Sequence, residues 1–362
     1  MGLAAREDET DHAPAGDGRE PKPGSSGAGS QTADPREVAR SEGDARGRFA
    51  DSPTELPTAG WKDVVRRTLQ EVKADNVPIT AAGVAFYGML ALVPALVAIV
   101  SVYGLATSPE ESARQVEGFT AALPGEAARL LVDQIKSITG QPSSGLGVKL
   151  ALSLAGLLWS ASSGTTALIR GLGIAYDEPE GRSFLKLRSR ALLLTVAAVI
   201  GAVVVLGLTV ALPAILDVAG LGSVGTTVGL VLRWPVLGAL FIVGLAAVYR
   251  YGPDRDKAKW RWVSPGALVA TVLWVMGTGL FGFYAGRFAS YNDTYGTLAG
   301  AVVLLLWLYL TSLVILVGAE LNSELERQTL EDSTVGRPRD LGDREAKSAD
   351  TVGAAAPSRS KR

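Results

Sequence analysis

The stretch TYGTLAGAVVLLLWLYLTSLVILVGA, residues 294–319, contains no charged side chain. About 20 such residues, wound into a helix, cross the roughly 30 Å hydrocarbon layer of a bilayer. One Asp, Lys or Arg at the centre of such a helix costs about 2.5–3.5 kcal/mol. The stretch is therefore predicted to span a membrane.

Five further apolar runs precede this stretch. In one of them, residues 218–249, Arg233 is the single charged residue, and its long side chain can reach towards the interface. The other four, residues 76–109, 150–169, 191–216 and 262–286, carry no charge. The sequence thus predicts six spans, at about 79–105, 149–170, 191–216, 227–250, 264–287 and 296–320.

Each predicted span must form a helix, because an unpaired backbone amide is very costly in lipid. A membrane β-barrel would need alternating polar and apolar residues, which these solid Leu, Val and Ala runs lack. The predicted fold class is all-α, a polytopic membrane protein with six transmembrane helices.

The connections between the spans differ in their basic residues. The connections at residues 172–190 and 251–264 each contain four basic residues. The connections at residues 217–226 and 289–295 contain none. Basic connections stay in the cytoplasm. Both chain termini are therefore predicted to be cytoplasmic.

The chain ends differ in composition from residues 61–326, the predicted membrane domain. Residues 1–60 and 327–362 are rich in charged and small residues and lack an apolar period, so both are predicted to be disordered cytoplasmic tails. No cleavable signal peptide is expected at the start. Trp61 opens a basic amphipathic segment that is predicted to lie on the cytoplasmic leaflet.

The composition excludes several chemistries. The chain has no Cys, one His and a net charge of -1. Disulfide scaffolds, Cys nucleophiles and multi-His metal sites are thereby excluded, and no catalytic residue, cofactor or metal is expected. The charge balance gives no indication of nucleic-acid binding.

Polar residues inside apolar runs are the candidate functional groups. Hydroxyls cluster in the second span, where they either bond to nearby carbonyls as packing groups or line a polar path. The path candidates are Ser160, Ser162, Ser163, Thr165 and Thr166. A cytoplasmic rim is predicted from Arg170, Tyr176, Asp177, Arg182, Glu320 and Asn322. Glu320 is expected to pair with Arg170 or the basic connections, or else to carry a proton.

Other residues predict the shape of the bundle. Pro94 interrupts the first span as a hinge or a fixed kink. Two GxxxG pairs, Gly282 with Gly286 and Gly296 with Gly300, predict close helix packing. On the opposite side, residues 108–111 form a capping box, and a second short helix is predicted around Leu130. These two helices would cover the bundle or act as a lid.

Several motifs in order resemble the YihY/virulence factor BrkB family. They are Ala85-Phe86-Tyr87 with Pro94, SGTTALIRGLGIAYDE at 163–178, RWVSPG at 261–266, YNDTYG at 291–296 and GAELN at 318–322. The likeness covers about residues 61–326. It implies a bacterial inner-membrane protein, and members have also been called ribonuclease BN.

Three functions are weighed from the sequence. Transport of an unknown substrate is the leading hypothesis, because hydroxyls, a proline and glycine contacts suit a gated polar path. A membrane scaffold for envelope assembly is the alternative, and a ribonuclease is the least favoured because its metal carboxylates and general base are not evident. The expected partners are the lipid bilayer, the unknown substrate and, as an open alternative, further copies of the chain.

Overall fold

The computed structural model of the chain describes residues 44–104, 146–211, 222–288 and 297–355. These residues form eight α-helices and, apart from one isolated bridge between Ala258 and Thr334, no β-structure. The helices are α1 Thr58–Ala74, α2 Val77–Gly104, α3 Leu146–Ala175, α4 Phe184–Leu206, α5 Gly222–Tyr251, α6 Trp260–Phe288, α7 Thr297–Glu326 and α8 Lys347–Asp350.

Six of these helices, α2 to α7, are long and apolar enough to cross a bilayer, which confirms the predicted number of spans. They stand side by side as a ring in which each packs on its neighbours in the chain, and α7 also packs on α2 to close it. The seam between α4 and α5 is the thinnest of these contacts. The fold is the all-α bundle that the apolar runs predicted.

Several helices extend beyond the predicted spans at one end of the bundle. α3 continues to Ala175 and α7 to Glu326, while α4 begins at Phe184. The predicted limits followed the first charged residue, whereas a helix continues wherever its apolar face finds partners. Leu172, in the extended end of α3, is fully buried. The predicted helices within residues 108–138 lie outside the described residues.

Arg233 lies inside α5 rather than at its start. Its Nη1 donates to the carbonyl oxygen of Thr209 at 3.1 Å, and its guanidinium lies 5.3 Å from the ring centroid of Trp234. Thr209 belongs to a π-helical turn, Gly207–Ala211, that continues α4. Such a turn loosens the backbone hydrogen bonding of a helix and frees carbonyl groups. The charge is therefore directed at an exposed backbone oxygen.

The prediction of disordered tails is wrong for residues 44–60 and 327–355. In the first segment Ala50 and Leu56 are buried in a cluster with Leu325, and in the second Leu330 is buried. The two segments also pair directly, since the amide of Leu330 donates to the carbonyl of Arg48 at 2.7 Å. We call these two segments, together with α1 and residues 176–183 and 252–259, the cap.

The polar composition of the cap misled the prediction because its polar groups bond to each other rather than to water. Arg344 is buried, and its guanidinium donates to the carbonyls of Leu330 and Ala349, both at 2.7 Å. Arg48 reaches across the chain to the carbonyl of Gly353 at 2.7 Å. Buried polar groups are stable when they are satisfied in this way.

α1 is amphipathic as predicted, but one of its faces is covered by protein. Arg67 on that face is buried, and its guanidinium bonds the carboxylate and the carbonyl of Glu324 on α7. The opposite face leaves Val65 and Leu69 exposed. Its contact with a leaflet stays a prediction.

Glycines pack closely at positions other than the predicted ones. No described atom lies within 4 Å of a Cβ built on Gly282 or Gly300, so the packing predicted there is not seen among the described residues. For Gly286 the structure describes only the helical backbone, and Gly296 lies outside the described residues. Close approaches occur instead at Gly318, where a Cβ would lie 2.8 Å from Ala270 Cβ.

Candidate functional site

A cavity of about 290 Å³ lies between α2, α3, α4 and α7. Most of its wall is formed by small or apolar side chains, among them Gly88 and Ala91 of α2. Three residues that carry hydroxyl groups line it from three different helices: Thr165, Thr195 and Ser312. An apolar cavity with a few convergent polar groups is the usual form of a small-molecule site.

Two of these hydroxyls are bonded to each other. Thr165 Oγ1 and Thr195 Oγ1 lie 2.7 Å apart, and Thr195 Oγ1 donates to the carbonyl of Ala191 at 2.8 Å. A hydroxyl has one proton, so Thr165 is the donor in the pair. The lone pairs of Thr165 Oγ1 are left to accept a hydrogen bond from a bound molecule.

Most of the predicted path hydroxyls bond within their own helix. Ser162, Ser163 and Thr166 donate to carbonyls three or four residues earlier, at 2.7, 2.8 and 2.8 Å. This is the bonding expected of hydroxyls in a packed helix. Ser160 is exposed on the outer surface of α3. Of the five predicted residues, Thr165 is the one that lines the cavity.

Arg188 of α4 lies against the same helix. Its Nη2 donates to the carbonyl of Trp159 at 2.5 Å, and its Nη1 donates to Thr166 Oγ1 at 3.3 Å. Its guanidinium stacks 4.7 Å from the Trp159 ring centroid. This contact is on the surface of the bundle, since 47% of the Trp159 surface is exposed. The sequence predicts Arg188 in the connection at residues 172–190, whereas the residue lies in α4.

Asn322 joins α6 to α7 at the cap end of the bundle. It accepts a hydrogen bond from the amide of Gly266 at 2.8 Å and donates to the carbonyl of Val263 at 3.1 Å. Pro265 lies between these two partners and removes one amide donor from α6. The Asn322 side chain therefore bonds α7 to the backbone of α6 on both sides of the proline.

A buried ion pair lies beside this joint. Arg255 and Glu326 form two hydrogen bonds of 2.6 and 3.0 Å, and both side chains are buried. The guanidinium of Arg255 also lies 5.1 Å from the ring centroid of Tyr176, which is buried. Burial raises the pKa of the Tyr176 hydroxyl. Tyr176 is thus a neutral core residue of the cap.

The other predicted rim residues are distributed around the cap. Asp177 pairs with Arg327 and lies 3.7 Å from Lys347 Nζ. Arg182 pairs with Glu180 and donates to the carbonyl of Gly252 at 2.9 Å. Arg170 is exposed on α3.

Glu320 is buried, and no Lys or Arg among the described residues forms an ion pair with it. The expected pairing of Glu320 with Arg170 or with the basic connections is therefore not seen. Within the part of the chain that the structure describes, no group of three or more His, Cys, Asp or Glu could hold a metal ion.

The sequence profile of the family described as Virulence factor BrkB matches residues 68–341. The chain belongs to this family. Ribonuclease-like protein YfkH of Bacillus subtilis (strain 168) is 33% identical over 269 residues, which cover 73% of this chain and 93% of YfkH. A UPF0761 membrane protein of Albidiferax ferrireducens is 25% identical over 279 residues, or 76% of this chain and 65% of that protein.

A UPF0761 membrane protein of Ralstonia nicotianae is 27% identical over 269 residues, which cover 72% of this chain and 58% of that protein. This BrkB-family chain therefore spans less than two thirds of these two UPF0761 proteins. No solved structure matches it significantly.

Three of the motifs that carry the family resemblance meet at the cap end. The motif at 163–178 contains Tyr176, that at 261–266 contains Val263 and Gly266, and that at 318–322 ends with Asn322. Asn322 bonds the second motif directly. The sequence features shared with this BrkB family thus include the joint between α6 and α7 as well as the α3 hydroxyls.

Sequence reasoning missed Thr195, Ser312 and Arg188. Each of the first two is a hydroxyl within a span, but a single hydroxyl does not indicate which helix it faces. Arg188 follows directly on a connection, where the positive-inside rule explains its charge without a site. The available signal was its position beside Leu187 and Ala191, two residues of α4 that are buried in a cluster with Ile169 of α3.

Proposed function

We propose that this membrane protein of the BrkB family is a transporter, and that its substrate passes through the cavity between α2, α3, α4 and α7. The observation that carries the proposal is the convergence of three hydroxyls from separate helices on an apolar cavity. The lone pairs of Thr165 favour a solute that bears a hydrogen-bond donor. The substrate itself is unknown.

The packing around the cavity supports movement between helices. α2 and α3 meet through small residues, since a Cβ on Gly164 would lie 3.0 Å from Ala91 Cβ. Helices that meet through small residues approach closely without interlocked side chains. Sliding of α2 along α3 would change the cavity at little cost. Pro94, within α2, stays a predicted hinge.

The proposed setting is the bacterial inner membrane, with the cap in the cytoplasm. The two connections that contain Arg182 and Arg255 both belong to the cap, which also carries the described ends of the chain. The positive-inside rule places such basic connections on the cytoplasmic side.

Single cysteines test whether water reaches the cavity, because the chain has no native Cys. We expect Thr165→Cys in liposomes to react with a small, charged methanethiosulfonate reagent. Val275→Cys, on the outer surface of α6, should stay unreactive because lipid covers it. If Thr165→Cys were as unreactive as Val275→Cys, the cavity would be dry and the transport proposal would fail.

A flux assay tests transport itself. Liposomes that contain the full chain are loaded with a polar metabolite extract from bacteria, and mass spectrometry follows which solutes leave. Gly88→Leu is expected to reduce the loss of the transported solute, because Gly88 lines the cavity and a Cβ there meets no described atom. Gly83→Leu, on the exposed side of the same helix, is the matched control. No selective loss from wild-type liposomes would contradict the proposal.

A membrane scaffold is the second candidate. The bonding of Ser162, Ser163 and Thr166 to their own helix favours it, since these hydroxyls then serve packing. The folded cap would offer a binding surface to a partner. Crosslinking in cells to one stable partner, together with an unreactive Thr165→Cys, is the result that a scaffold predicts. The ribonuclease label belongs to YfkH, and no described arrangement of residues favours it for this chain.

A further inference from the structure

Two acidic side chains lie together at one end of the bundle, Asp75, which is partly exposed, and Glu320, which is buried. Asp75 follows the end of α1, and Asn76 after it adopts a positive φ of 49° as the chain turns into α2. Glu320 lies on α7 with 1% of its surface exposed. The two carboxyl groups lie close enough to interact directly. The contact therefore joins the start of α2 to the end of α7.

A proton would make this contact favourable. Two ionised carboxylates have no hydrogen to share and repel each other, so a bond between them forms only when one is protonated. Glu320 Oε1 has no N–H or hydroxyl donor among the described residues. A proton shared between the two carboxyl groups is sufficient to explain why they lie together, without a water molecule or a basic group.

The neighbouring charges do not neutralise the pair. Arg67 is bonded to Glu324, and Arg327 is bonded to Asp177 and Glu324. Both arginines are therefore engaged by other carboxylates. The charged and titratable groups around the pair are Arg67 and Glu71 from α1, Tyr176 and Asp177 after α3, Glu324 and Arg327 at the end of α7, the ion pair of Arg255 with Glu326, and Lys347 of α8.

We infer that Asp75 and Glu320 together bind one proton. Two carboxyl groups suit this ligand better than a divalent cation, since calcium takes six to eight oxygen ligands. When the proton leaves to solvent, two adjacent carboxylates remain and their repulsion opens the contact between the α1–α2 turn and α7. The contact is thus a proton-dependent latch on two helices that line the cavity.

The electrostatic setting of Asp75 agrees with this inference. Burial, and then the charge of Asp177, raises the pKa of the Asp75 carboxyl. A carboxyl whose pKa is higher in the folded state keeps more protons there than in the unfolded chain. Its stabilising effect is complete below the unfolded value, near 3.9 for Asp, and is lost as pH rises through the folded value.

Any coupling of this proton to the movement of a substrate rests on the proposed transport function. The binding of the proton does not depend on that proposal. The test therefore uses the purified full chain in nanodiscs of neutral lipid and needs no substrate. Infrared spectra at rising pH follow the carbonyl band of protonated carboxyl groups, and thermal unfolding is measured in parallel. The variants are Asp75→Asn and Glu320→Gln, with Asp340→Asn, an exposed carboxyl of the cap, as the control.

We expect a wild-type band that persists above the pH at which ordinary carboxyl groups ionise and that is absent in Glu320→Gln. In Asp75→Asn the band should disappear at a lower pH than in wild type, because no second carboxylate opposes the charge of Glu320. The wild-type unfolding midpoint should fall by about 2–4 °C per pH unit across the transition, and Asp340→Asn should behave like wild type. The midpoint of the pair variants should change less with pH. If Glu320→Gln does not fold, Asp75→Asn alone decides.

A band that survives in Glu320→Gln, or equal pH dependence in wild type and the folded pair variants, would overturn the inference. So would a midpoint that depends on sodium rather than on pH. Failure of the liposome flux assay with the band present would overturn transport alone. Flux without the wild-type band would overturn the proton site alone.

Discussion

The cap end and the middle of the bundle are built in opposite ways. At the cap end, buried arginines, carboxylates and backbone groups bond across five or more segments, as around Arg67 and Arg255. In the middle, hydroxyls such as that of Ser163 bond inside their own helix, and a cavity of about 290 Å³ separates four helices. The difference indicates that the cap fixes the fold while the middle retains room to change shape.

Arg255→Met should give the largest loss of stability, because it leaves the buried carboxylate of Glu326 without a cation. Breaking a buried ion pair in this way costs about 3–5 kcal/mol. The measurement is the thermal midpoint of the full chain in detergent, followed by size-exclusion chromatography. Arg255→Met combined with Glu326→Leu should recover most of the loss, since no charge is left unpaired. An unchanged midpoint in the single variant would show that the cap is not held by this pair.

Gly318→Ala should have a smaller but clear effect. The new Cβ would press on Ala270 Cβ and the Gly266 carbonyl, each 2.8 Å away, and overpacking of this kind costs about 1–3 kcal/mol. Gly282→Ala is the matched control in α6, where no described atom is near. It should be neutral or stabilising by up to about 1 kcal/mol, because Ala favours helices. Equal losses in the two variants would remove the contrast between the two regions.

Ser163→Ala should have the smallest effect. Its hydroxyl bonds only a carbonyl of its own helix, and hydrogen bonds of side chains within membranes contribute about 0.6 kcal/mol on average. The same thermal midpoint is measured. A loss as large as that of Gly318→Ala would mean that the middle of the bundle, too, is essential for the fold.

The membrane helices could be predicted from the sequence because the cost of a charge in lipid acts on each segment separately. The run at 294–319 predicted α7 without knowledge of any other residue. The ends of the helices could not be predicted in this way. α7 continues to Glu326 because the cap supplies cations for Glu324 and Glu326, and those partners are distant in sequence.

The candidate site could be predicted only in part for the same reason. Thr165 could be predicted because a cluster of hydroxyls in an apolar run is unusual, whatever the rest of the chain contains. Its partner Thr195 is separated from it by a connection, and their bond depends on how α3 and α4 pack. Asp75 was overlooked because a single acidic residue beside a span is common. It becomes a candidate only through its contact with Glu320, which is distant in sequence.

The cap brings together residues that leave the ribosome at opposite ends of synthesis. Arg48 bonds the carbonyl of Gly353, which is separated from it by 305 positions in the chain. Translation therefore completes all the membrane helices before Arg48 and Arg67 can find their final partners. A chain that stops before residue 353 lacks the carbonyl groups that Arg48 and Arg67 bind there, so its cap cannot close in the same way.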